Sequence, residues 1–331
     1  MAIEIGSVNA DTSVKLGTTT IQSGYIGFNN FYGTEFKILD LFPSAHHAFS
    51  LRKLRAAYTG FCLRVRRTNL TPNTLSTTVD VSFNSLNTIG LDSAITYVSG
   101  GATTATNLGQ FCASIVQGYT NPDGVNINQD IFISTWFDQS GNGKNVTSTT
   151  TTQQPRIVFG GNLETKNGKA AIKFINASNT RLILTDTSMN INNLSQYIVT
   201  SLITTTLNSQ PSAFRSSSNP WWLPVSNTTN TYINYNTVAP TSTGFLSQAN
   251  DTINRLYSMV AGATTVTAYK NTTTIGTKAS ISFASQYIAL GWSGSTTVPN
   301  ALDGYIQESI TWQNQLYVSP IQSNIITYYG L

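Results

Sequence analysis

The sequence predicts an all-β fold, a sandwich or a barrel, and three observations carry that expectation. The 331-residue chain is 40% hydrophobic yet only 10% charged, against about 25% charged residues in an ordinary globular protein. Its polarity comes from Ser, Thr and Asn, and it holds 24 glycines with 15 each of Tyr and Phe, the composition of strands broken by turns. From residue 155 onward, runs such as PRIVF, AAIKF, RLILT, QYIVTSLI, TYINYN, RLYSMVAG, TTVTAYKN, SQYIALGW and DGYIQESITWQ recur at intervals suited to a sandwich.

The elements follow in chain order. In residues 1–37, Gly17, Gly24, Gly27 and Gly33 separate short β-like pieces, each too short to bury a core alone. This segment reads as an N-terminal arm, either an attachment device or an ordinary edge hairpin. Residues 38–331 form the sandwich domain. At its start, Ser44 as cap, Ala48, Leu51, Leu54 and Tyr58 at helical spacing and Gly60 as stop predict an amphipathic helix. That helix would carry His46 and His47 at its exposed start. FCLRVRR then alternates as a strand, with Leu63 and Val65 on one side and Arg64 and Arg66 on the other. NLGQFCASIV predicts a short helix and INQDIFISTWF a buried strand. Asn167-Gly168 fits a type I′ hairpin turn, Lys270-Asn271 a second turn, and NQLYVSPIQSNIITYYG a closing helix.

Composition also bounds function. The net charge is +4, and the basic residues concentrate at Arg52, Lys53, Arg55, Arg64, Arg66 and Arg67. Elsewhere they are dilute, and no RNA-binding motif organises the aromatics, so no nucleic-acid partner is expected. Cys62 and Cys112 suggest neither a disulfide framework nor a metal site; both read as free and buried, with a single pairing left open. The N-terminus lacks the pattern of a signal peptide, and no apolar run of about 18 residues suggests membrane insertion. Synthesis in a cytoplasm is expected.

The stretch STWFDQSGNGKN at 134–145 gathers a carboxylate, amides and two glycines. It imitates the first half of a calcium loop, but the acid that loop needs at its twelfth position would fall on Thr149. The remaining reading is structural: Asp138 fixes a turn through Gly141 and Gly143. No metal is expected. Glycoside hydrolysis needs two carboxyls flanking the bond. Asp303 and Glu308 are candidates, yet their odd spacing places them on opposite faces of a strand. GWSGS at 291–295 misses the closing glycine of a nucleophile elbow, and no phosphate-binding glycine pattern is present, so no cofactor is expected. Binding chemistry is the better supported. Trp221, Trp222, Tyr232 and Tyr235 lie among Asn, Ser and Thr, where ring faces can stack on sugars while amides bond hydroxyls. Trp221 and Trp222 are read in a loop between Pro220 and Pro224.

LRAAYTGFCLRVRR, STWFDQSGNGKNVT and QPRIV followed by NGKAAIKF together resemble two related groups. One is the N-terminal catalytic sandwich of B-type fungal α-L-arabinofuranosidases. The other is a set of phage structural proteins with a concanavalin A-like, laminin-G-like sandwich, which is similar at both ends: a Gly-rich leader before LDLFPSAHHAFSLRKLRAAYTG, and DGYIQESITWQNQL…NIITYYG at 303–330. The resemblance covers residues 38–175 and the C-terminal segment. It implies a concanavalin A-like β-sandwich, or jelly roll, with a few short helices. The arabinofuranosidases carry their nucleophile in a Gly-Asn-Ala-Glu type segment, whereas the comparable 212–230 has no carboxylate. The expectation is therefore a non-enzymatic bacteriophage virion protein: a head fibre, capsid decoration or tail-associated component, joined to other virion proteins through its arm. Symmetry of projecting virion proteins suggests a homo-oligomer such as a trimer. A host-surface glycan is the candidate ligand, and the alternative is a glycoside hydrolase or depolymerase acting on host polysaccharide.

Overall fold

The computed structural model describes residues 37–67, 77–113, 118–124, 128–186, 188–189, 193–203, 252–279, 287–292, 301–313 and 319–331. Strands at 14–16, 19–21, 212–215, 220–226, 230–235 and 245–249 are described as backbone, as are 278–279 within the last strand of their hairpin. Every pairing among the described strands is antiparallel. One layer runs from Thr273–Ala279 through Thr265–Lys270, Arg255–Ala261, Leu194–Leu202 and Gly304–Gln313 to Ala45–Ser50. The other runs from Ile95–Ser99 through Thr77–Val81, Leu63–Arg67, Ile131–Trp136, Val146–Thr147, Leu182–Thr185, Tyr287–Leu290 and Ser212–Arg215. It continues through Pro220–Ser226 and Asn230–Tyr235 to Phe245–Ala249. Arg156–Phe159 joins the layers, pairing with Ile131–Trp136 on one side and Ile172–Phe174 on the other.

The all-β sandwich follows from where apolar side chains go. Phe49, Leu63, Val65, Trp136, Phe174 and Ile306 pack in one core between the layers. A second core lies outside the first layer, where Tyr197, Ile310 and Trp312 meet Ile321 and Ile325 of the helix Ser319–Tyr329. With both faces covered, Leu194–Leu202 is buried at all nine positions. Each Å² of apolar area so buried contributes about 25 cal/mol, and this doubly covered strand contributes on both of its faces.

The helix expected over 44–60 is absent. Ile38–Leu41 makes one turn, and Ala45–Ser50 is a strand paired with Glu308–Trp312. Ser44 has φ 64°, a left-handed conformation rather than the extended one a helix cap needs. Of the apolar positions that imitate helical spacing, Ala48 lies in this strand, which is buried at five of its six positions, while Leu51, Leu54 and Tyr58 follow it in irregular backbone. His46 and His47 accordingly do not sit at an exposed helix start. His47 is fully buried within the strand.

Other elements lie where the sequence places them. The helix Leu108–Cys112 is capped by Asn107, whose side chain accepts from Gln110 N at 2.9 Å. Asn167 and Gly168 take φ 47° and 68°, the pair of positive angles of a type I′ turn, and Asn271 takes φ 52°. Cys62 and Cys112 are free and buried. Of the arm, the strands Val14–Leu16 and Thr19–Ile21 pair with one another; the rest of residues 1–36 lies outside the described residues.

Candidate functional site

The STWFDQSGNGKN stretch fastens the outer edge of the strand Ala45–Ser50, the edge left over after pairing with Gly304–Gln313. The Asp138 carboxylate accepts four hydrogen bonds: from Ala48 N at 2.8 Å, Ser140 N at 2.9 Å, Ser140 Oγ at 2.6 Å and Lys144 N at 3.1 Å. Gln139 accepts from Leu54 N at 2.8 Å and donates to the Ser50 and Arg52 carbonyls. Asn142 donates to the carbonyls of Ala45 and His46. Gly141 and Gly143 take φ 94° and 68°, angles that L-residues rarely adopt.

Beside this loop, Asp186 gathers Lys144 Nζ at 2.7 Å, His46 Nε2 at 3.5 Å and the Ser188 hydroxyl at 2.6 Å. Burial alone would raise the Asp186 carboxyl; Lys144 and the two Ser188 hydrogen bonds outweigh it and hold it at about 2. Burial, and then the Lys144 charge, push His46 below its ordinary value; burial and then His46 push His47 well below. The ring of His46 meets both Ser188 and Asp186 through the same Nε2. This is not the relay of a nucleophile triad, which uses the two ring nitrogens separately.

Asp303 and Glu308 are held by different cations. Lys173 Nζ lies 3.0 Å from Asp303. Glu308, wholly buried, takes Arg52 in a two-pronged pair (Nε at 2.8 Å, Nη2 at 3.0 Å) together with the Ser50 hydroxyl at 2.7 Å. The structure brings this pair into no common cleft.

An open groove does form on the outer side of the second layer. It encloses about 290 Å³ and is lined by Asn145, Thr147, Ser148, Thr150, Gln153 and Arg181, with hydrophobic floor from Ile183 and Leu184. Its loop wall is braced from within. Arg66 donates to the Thr151 carbonyl at 2.8 Å and to Gln154, and Gln154 donates to the Ser148 carbonyl at 2.9 Å. Arg181 N bonds the Gln153 carbonyl at 2.8 Å, tying wall to floor. The Arg181 guanidinium lies over the Trp292 ring, 4.2 Å from its centroid, and Tyr287 stacks nearly parallel to that indole at 6.5 Å.

The four aromatic positions singled out in the sequence fall on neighbouring strands of the same layer. Trp221 and Trp222 belong to the strand Pro220–Ser226 rather than to a loop, because this segment pairs on both sides. The register runs Thr147, Ile183, Ala289, Ala213, Trp222, Asn234 along one ladder row. Thr147 and Ile183 line the groove. Tyr232 pairs with Val225, beyond a register shift that separates it from the Trp222–Asn234 pair. Trp221 and Tyr235 take the adjacent row, with Phe214 and the buried Ile288. Arg181 is not visible as a site residue in the sequence, where it is only the first residue of RLILT. The Thr-rich run TSTTTTQQ is the one local hint of a polar wall.

No family model and no curated protein matches this chain. Solved structures do. A GH54 α-L-arabinofuranosidase soaked with a cyclic sulfate inhibitor is 14% identical, with a TM-score of 0.51 over 88% of this chain and 63% of that one. A point mutant of a GH54 α-L-arabinofuranosidase, soaked with 4-nitrophenyl α-L-arabinofuranoside, is 15% identical, with the same score and coverage. A Trypanosoma rangeli sialidase aligns more weakly, at 10% identity and a TM-score of 0.38 over 59% of this chain and 31% of that one. The chain thus spans under two thirds of the arabinofuranosidases it matches. At this identity the likeness shows the fold alone, an all-β sandwich. It also overturns the expectation of a non-enzyme, which rested on one short segment lacking a carboxylate. A chain that shares its fold with glycoside hydrolases over 88% of its length is not excluded from catalysis by residues 212–230 alone.

Proposed function

We propose that this chain is a glycan-binding β-sandwich displayed on a bacteriophage particle, held there through residues 1–37 and facing outward with its polar groove. The observation that carries the binding reading is the groove itself: hydroxyls and amides on a braced wall, and an arginine set against the Trp292 ring, which Tyr287 stacks on in turn. This combination suits sugars, whose C–H faces stack on rings while their hydroxyls exchange hydrogen bonds. Trp221, Trp222, Tyr232 and Tyr235 lie on strands of the same layer, and we count them with the groove as candidate sugar contacts. The virion location is supported by the resemblance of both chain ends to phage structural proteins.

The test is a glycan array read for both retention and product release. Saturable binding to a defined glycan, lost when Trp221 and Trp222 are both replaced by Ala in a chain that still folds, is the expected result. No retained glycan across the array would remove the binding reading. Two of the neighbours named above are arabinofuranosidases, so liberated arabinose in the same wells would assign hydrolysis instead. Antibody labelling of particles in the electron microscope decides the location: signal absent from intact particles would refute it.

A further inference from the structure

We infer that the groove selects sugars that carry a carboxylate, with Arg181 as the residue that reads the acid. The inference rests on the glycan-binding reading above and narrows it to acidic glycans.

Three observations point there. First, Arg181 has no ion pair and no side-chain hydrogen bond among the described residues, in a molecule whose other arginines are commonly committed internally. Arg52 holds Glu308, Arg64 holds Asp80, Arg67 holds Asp123 and Arg156 holds Glu164. Second, its position is set by Trp292: Cζ lies over that ring, 4.2 Å from its centroid. A guanidinium carries its N–H donors in one plane. In-plane pairs of donors match the two oxygens of a carboxylate, a geometry that Lys cannot reproduce. Third, no Asp or Glu among the described residues lines the groove. Asp186, next in sequence to the lining residue Thr185, is already held by Lys144 and Ser188. The groove is therefore cationic without an internal counter-charge.

The neutral part of the wall fits the rest of such a ligand. Asn145, Thr147, Thr150 and Gln153 supply donors and acceptors for ring hydroxyls. The volume of about 290 Å³ is at the small end of ligand pockets, which suits a sugar unit at a chain end or branch more than a buried polymer. Arg215 takes the register position opposite Tyr287, on the row of Thr185, so a second basic residue stands two strands away on the same layer.

Sialic acids and uronic acids both present this chemistry, and one titration separates them. The full chain is titrated calorimetrically with sialyllactose and with a galacturonic acid trisaccharide, and in parallel with lactose and the methyl-esterified trisaccharide. One acidic sugar is expected to bind at least about tenfold more tightly than its neutral counterpart, the worth of one charge-assisted bidentate contact. Arg181→Gln should erase that preference, so that the acidic sugar binds no more tightly than its neutral counterpart, and Arg181→Lys should restore only part of it. Melting curves confirm that both variants fold. Equal affinity for acidic and neutral members, or a preference surviving in Arg181→Gln, overturns the inference while leaving glycan binding intact. Failure to bind any of the four, in a chain that binds other neutral glycans on an array, also overturns it. Failure on both counts removes the binding reading with it.

Discussion

Asp138 shows how much a single buried carboxylate can organise. Its two oxygens accept from three backbone N–H groups and one hydroxyl, at 2.6–3.1 Å, and it is 5% exposed. Removing it leaves those donors buried without acceptors, and hydrogen bonds to a charged group are worth about 1.5–3 kcal/mol each in isolation. Asp138→Ala is therefore expected to cost on the order of 3–5 kcal/mol, measured by urea unfolding, and to leave glycan affinity per folded molecule unchanged. Wild-type stability in the variant would contradict this account, and so would a lost affinity in a fully folded variant. The turn role of Asp138 was legible in the sequence because an Asx turn is local: Ser140 is two residues away. The clamp made by Gln139 was not, because Leu54 lies 85 positions distant and no periodicity links them. Arg181 was illegible for a related reason. Its meaning depends on Trp292, brought beside it by the pairing of Leu182–Thr185 with Tyr287–Leu290.

At the level of elements, the segment 45–50 is the instructive failure. It lies within a run, 44–60, whose apolar spacing mimics a helix, and only the ladder with Glu308–Trp312 and the second core beneath Ser319–Tyr329 explain why it is extended. Hairpins were more legible, since Asn167-Gly168 encodes its own turn. The same strand carries a pH dependence. Burial lowers His46 and His47 from 6.5, so the folded strand keeps both rings neutral while the unfolded chain protonates them as pH falls below that value. Protons then favour the unfolded state. This stability is complete above about 6.5 and is lost on acidification, on the order of 1 kcal/mol per pH unit for the buried His47. Asp186 acts in a separate window: with its carboxyl held at about 2 against an ordinary 3.8, its contribution is present above 3.8 and fades only between those values. Melting temperatures between pH 7.5 and 5 should fall in the wild type and fall less steeply in His47→Gln. A flat wild-type profile over that range would show that the strand releases its histidines without cost.

At the scale of the whole molecule, the all-β sandwich was legible because composition and strand spacing both report it, and both are averages over hundreds of residues. The joining of two layers through Arg156–Phe159 was not, because it depends on a strand with partners on both sides. The division between arm and sandwich is argued from energetics at this scale. The strands Val14–Leu16 and Thr19–Ile21 pair with each other, and the strands of both layers begin at Ala45. The sandwich should therefore fold without the arm, provided Lys37 is kept, since its carbonyl accepts from Asp40 N and Leu41 N at the first turn. Deleting residues 1–36 is expected to shift the melting temperature by less than about 2 °C, a change of under roughly 1 kcal/mol in a chain of this size. The truncated chain should bind glycan like the parent yet fail to join particles when supplied during infection in place of the full chain. A truncated protein that still assembles onto particles at the full level would place the attachment surface on the sandwich. One that melts far lower would show that the arm belongs to the core.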